Sequence, residues 1–104
     1  MLLTEINLYD LVLLRQMQIE RLRTFFAESL LLASIYVDQQ NILIIDCADS
    51  WDAQSLLSEI EELCEYAWMI LGIEILSVCL YQEEIYFINF HNLFRTKTQP
   101  TSGK

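Results

Sequence analysis

Glycine and proline are nearly missing from this chain, with two of the first and one of the second in 104 residues. That scarcity excludes flexible low-complexity linkers and any glycine-rich loop built to cradle phosphate. Positive charge is scarce as well. Residues 1–94 carry only Arg15, Arg21 and Arg23 against all 15 acidic side chains, a formal −12, while Arg95, Lys97 and Lys104 lie at the C-terminal end. Such a surface repels phosphate backbones and anionic lipid, so neither nucleic acid nor a membrane is expected as a partner. A basic protein partner is compatible with it.

There is one histidine, and the three cysteines show no CxxC spacing, so no metal or cofactor is expected. The longest apolar runs, 30–37 and 68–81, fall short of the ~20 residues a membrane-spanning helix needs, and Gly72 and Glu74 interrupt the second. The start at Met1 shows no basic leader, and unpaired thiols suit a reducing compartment, so the expected location is the cytoplasm. GxSxG, HExxH and Walker patterns are absent, and no family is identified from the motifs.

What is abundant is apolar side chain, at 54% of the chain. This length suits one domain, placed at 1–94, followed by a polar, aperiodic tail at 95–104 that is expected to be disordered. Helical spacing predicts a helix over 4–28, with Leu8, Leu11, Val12, Ile19, Leu22, Phe25 and Phe26 on one stripe and Arg15 within it. Strands are predicted at 30–37 and 41–47, joined by Asp38-Gln39-Gln40 as a hairpin. A second helix spans 51–71, with Ser50 as its N-cap and Gly72 ending it. A second hairpin follows at 73–81 and 85–90.

The expected fold is therefore α+β: an αββ-αββ two-layer sandwich, with a four-stranded antiparallel sheet and two helices on one face. The hairpins align without a gap at a 43-residue offset (Ser34 over Ser77, Ile42 over Ile85, Ile45 over Ile88), which raises an internal repeat or chance convergence.

Side chains alternate along strands, so Ile42 and Ile44 share one face while Leu43 and Ile45 share the other; Ile85 and Phe87 are likewise set against Tyr86 and Ile88. Both faces are apolar, whereas a sheet with one wet face alternates with polar residues. Two helices cover one face, which leaves the other to a second copy or a protein partner. The candidate interaction surface is Ile44, Phe87, Ile42, Ile85, Tyr36 and Arg15.

Several chemical readings compete with structural ones. Cys47, His91 and Asp46 are the one nucleophile–base combination, since Cys47 and Phe90 end equivalent hairpins, but an apolar setting would leave that thiol inert. Cys47, Cys64, Cys79 and His91 lack metal-ligand spacing. Glu59, Glu61, Glu62 and Glu65 read as a solvated helix face, and Asp46, Asp49 and Asp52 as turn and cap residues. Arg15 either pairs with a carboxylate or carries its charge out to water.

The expected function is thus a non-enzymatic protein-interaction or regulatory module acting as a homodimer. The alternative is a small enzyme or ligand-binding protein with a pocket between sheet and helices, using Tyr36, Tyr81, Tyr86, His91 or Cys47.

Overall fold

The computed structural model describes residues 8–91. The expected tail at 95–104 and the first turn of the expected leading helix lie outside the described residues. The elements run α1 (Leu8–Phe25), α2 (Ala27–Leu30), β1 (Ser34–Val37), β2 (Leu43–Cys47), α3 (Ser50–Ser58), α4 (Ile60–Leu71), β3 (Ile75–Leu80) and β4 (Glu83–Asn89). The fold is α+β.

Each long helix expected from periodicity is broken once. Phe26, at φ −132° and ψ 48°, separates α1 from α2, and its buried ring meets Tyr66 edge-on at 5.6 Å. Glu59, at φ −112° and ψ 24°, separates α3 from α4. The N-cap of α3 is Asp49 rather than the expected Ser50: its carboxylate accepts from Asp52 N at 2.9 Å. An aspartate here both accepts an orphan N–H and meets the helix dipole. Gly72 closes α4 at φ 69°, with its N–H donating to Trp68 O at 3.0 Å, in the left-handed conformation glycine adopts without penalty. The strand expected from residue 30 starts only at Ser34, because Leu30 completes α2.

The sheet order is β1-β2-β3-β4. β1/β2 and β3/β4 are antiparallel hairpins, but β2 and β3 pair in parallel, with Leu43 opposite Leu76 and Ile45 opposite Val78. The sheet is mixed, which corrects the expectation of a fully antiparallel one. The cause lies in the connection: α3 and α4 carry the chain back to the end of the sheet where β2 begins, and a strand–helix–strand unit returns its second strand parallel. Nor does strand pairing follow the 43-residue offset. Val37 pairs with Leu43, whereas Leu80 pairs with Glu83 and Tyr86 with Val78. The first turn spans a longer loop, in which Asp38 accepts from Gln40 N and Ile42 N at 2.8 and 3.0 Å. The second is only Tyr81-Gln82, both at positive φ (54° and 70°), as a two-residue hairpin turn requires.

Alternation along the strands sorts the sheet residues into two sets. Leu43, Ile45, Cys47, Leu76 and Val78 are buried in one core cluster with Ile19, Leu22, Leu56, Leu63 and Ala67 from the helices. Partly buried Ile35, Val37, Leu80, Tyr86 and Ile88 pack against that cluster. The residues between them along the strands form the opposite set, and these lead to the candidate site.

Candidate functional site

Strand register assembles the second set into rows that cross the sheet. Tyr36 lies opposite Ile44, Ile44 opposite Ser77, and Ser77 opposite Phe87. This row is apolar except at its third position. Tyr36 and Phe87 are 48% and 51% exposed, and Ile44 is half-buried, although each belongs to a residue class that ordinarily fills cores. Ile42, half-buried, precedes β2 by one residue and shares the side of Ile44. Ile85, 44% exposed, is the extra residue of a bulge between the Val78–Tyr86 and Cys79–Glu84 pairs. A bulge twists an edge strand and re-aims the side chain it carries.

The neighbouring row is polar: Ser34 lies opposite Asp46, Asp46 opposite Cys79, and Cys79 opposite Glu84. Ser77, itself only 5% exposed, donates its hydroxyl to Glu84 Oε1 at 2.6 Å and sits 3.7 Å from Cys79 Sγ. Asp46 Oδ1 accepts from Gln82 N at 3.1 Å, bracing the strained turn. The exposed face thus carries an apolar band with an acidic margin. The band is legible in the sequence, but Ser77 and Glu84 beside it are not, because a lone serine in an apolar strand gives no sign of its partner.

Five of the six expected surface residues therefore gather on this face. Arg15 does not join them. It lies on α1, and its Nη1 donates to Leu71 O at 3.2 Å, placing a cation at the C-terminal end of α4 where the helix dipole is negative.

The chemical readings resolve into structural ones. Cys47 and His91 stand at opposite ends of β3: Cys47 pairs with Leu80, and His91 follows the strand whose Asn89 pairs with Ile75. Those ends are about 16 Å apart at strand rise. The parallel β2/β3 pairing is what separates them, since hairpin ends that match in sequence fall at opposite ends of the strands. His91 Nδ1 instead lies 2.7 Å from Glu74 Oε1. Among the described residues no group of three or more His, Cys, Asp or Glu side chains is placed to hold a metal ion. Glu59 accepts from Ser29 Oγ at 3.4 Å, and Glu61, Glu62 and Glu65 are exposed on α4.

Among the described residues the alternative ligand set is dispersed: Tyr36 is on the exposed face, Tyr86 and Cys47 pack toward the core, and Tyr81 is at the turn. An open groove of about 480 Å³ runs instead beside α1, walled by Leu11, Val12, Leu14, Arg15 and Leu71.

Burial, with help from the carboxylates of Asp52 and Asp46, pushes the Cys47 thiol up from 9.0 to about 11; burial beside Glu61 does the same for Cys64. Both thiols stay protonated and unreactive at neutral pH. An alkylating probe is therefore expected to modify half-buried Cys79 first, and Cys47 and Cys64 only as fast as the chain opens. In the unfolded chain these thiols lose their protons near pH 9, before the folded chain does. The stability they contribute is complete below that pH and is lost between pH 9 and about 11. Urea midpoints at neutral pH and at about pH 10 should show this fall, and Cys47→Ala with Cys64→Ala should flatten it. An equally steep fall in that variant would assign the alkaline loss to other groups.

No protein family, curated protein or solved structure matches the chain. Among the described residues no helix is long and apolar enough to cross a membrane.

Proposed function

We propose that this chain is a non-enzymatic protein-interaction or regulatory module that acts as a homodimer through the exposed face of its sheet. The carrying observation is the row Tyr36–Ile44–Ser77–Phe87, flanked by Ile42 and Ile85, on the side of the sheet opposite the buried core set. The underlying layout is a two-layer one, with the helices on one face and the second face left for a second copy. A twofold interface is self-complementary, so whatever surface of one protomer covers this band, the same surface of its partner covers the other. Half-exposed apolar side chains each gain about 1 kcal/mol on burial, and a band of five or six supplies a core of interface size. A basic protein partner is the competing occupant, and the formal charge of −9 favours that occupant over nucleic acid or lipid. Free thiols accord with a cytoplasmic setting.

Size-exclusion chromatography with light scattering tests this directly. A mass twice that of the 12.3 kDa chain is expected at micromolar concentration. A monomer would overturn the homodimer, and one that also binds no apolar dye would remove the sheet face as a docking surface.

A further inference from the structure

α1 carries a second apolar surface with no partner among the described residues. Its inner side buries Ile19 and Leu22 against the core, while Leu13, Leu14 and Met17 on its outer side are 43%, 52% and 62% exposed. Arg21 continues this outer stripe at helical spacing and is exposed. The three arginines of the described residues differ in one respect. Arg15 donates to Leu71 O, and Arg23 to Ala33 O and Glu20; the Arg21 side chain has no hydrogen bond or ion pair among the described residues. The free guanidinium among the described residues thus sits at the end of an exposed apolar stripe.

The exposed sheet face offers the complement. Its apolar row and its acidic row are two strand residues apart, about 6.6 Å. Met17 and Arg21 are four helical residues apart, a rise of about 6 Å. A helix laid with Met17 on the Ile44–Phe87 row brings Arg21 over the row of Asp46 and Glu84. Asp46 and Glu84 each commit one described oxygen, to Gln82 N and Ser77 Oγ, and so keep a second for a guanidinium. Charge selects this pairing. Two copies that each carry a formal −12 over residues 1–94 repel unless a free cation meets an acidic margin.

We propose that two copies exchange helices, the outer stripe of α1 from each covering the exposed sheet face of the other, with Arg21 set against Asp46 and Glu84. This rests on the homodimer reading and names what occupies the face. One helix-on-sheet contact, repeated by the twofold axis, covers both orphan surfaces at once.

The test is a mixing experiment on the full chain, with dissociation followed by sedimentation equilibrium. Arg21→Glu and Glu84→Arg, both exposed and expected to fold, should each weaken the homodimer about tenfold or more. Mixed together, they should associate more tightly than either alone, because the heterodimer holds one original and one reversed pair. A mixture no tighter than its components overturns the exchange. A dimer broken by a substitution at Phe87, yet indifferent to both reversals and to Met17→Ser, overturns it too, with the sheet-face reading left standing. A wild-type chain that stays monomeric removes the homodimer reading and the exchange with it.

Discussion

Phe87→Asp is expected to convert the proposed dimer to monomer while leaving the fold in place. Phe87 lies on edge strand β4 and is 51% exposed, so the isolated chain gains little from its ring. Its register partner Ser77 is already satisfied by Glu84, so the substitution orphans no polar group inside the protomer. Within a closed interface the new carboxylate would be desolvated on the face that also carries Glu84 and Asp46, whose charges oppose it. A buried, unpaired charge at the centre of an interface costs about 2 kcal/mol or more, a loss of about thirtyfold in affinity. Ile44→Asp should behave alike, with a greater cost to the protomer because Ile44 is on central strand β2. Light scattering reads the association and far-ultraviolet circular dichroism reads the fold. A Phe87→Asp protein that dimerises with unchanged affinity would rule this face out.

Ile44 and Phe87 are legible in the sequence, since strand alternation separates them from Leu43 and Ile88. The fold keeps this division, burying Leu43 and exposing Phe87. Gly72 is equally legible as a helix stop, since few residues but glycine tolerate a φ of 69°. Such features depend on local periodicity and backbone preference. The parallel step between β2 and β3 depends instead on how far the intervening helices carry the chain, which no local pattern records. With that step goes the placement of Cys47 and His91, whose shared hairpin-end position in sequence becomes a separation along β3. Helix breaks at Phe26 and Glu59 escape for a related reason: both fall inside good helix-forming sequence and are imposed by packing. Arg15 and Glu84 take their roles from partners distant in the chain, Leu71 for the first, or in the facing strand, Ser77 for the second.

Arg23 is the strongest instance of a role set by tertiary contact, and its removal carries the second large expected effect. Its guanidinium donates through Nη1 to Leu30 O and, at 3.0 Å, to Ala33 O, and through Nε to Glu20 at 3.2 Å. Leu30 and Ala33 are buried, and their carbonyls close α2 and lead into β1. One planar fork of donors therefore ties the end of α1 to the turn that starts the sheet. Arg23→Met keeps the apolar stem and deletes every donor, so the Ala33 carbonyl loses the guanidinium and the Leu30 carbonyl keeps only the N–H of Ala33 at 3.2 Å. At about 1–3 kcal/mol for an orphaned buried carbonyl the loss is about 2 kcal/mol, still a sizeable fraction of a small domain's stability. Arg23→Lys retains charge but not the fork, and should lose about half as much. Urea denaturation would show both as lowered midpoints with unchanged slope, since neither substitution alters the area buried. Loosening the 30–33 segment also frees β1, which holds Tyr36 in register with Ile44. Arg23→Met should thus weaken self-association as well, although Arg23 lies outside the exposed row. If the midpoint for Arg23→Met fell no further than that for an exposed substitution such as Gln54→Ala, the carbonyls would have found other donors and the tie would not be what orders β1.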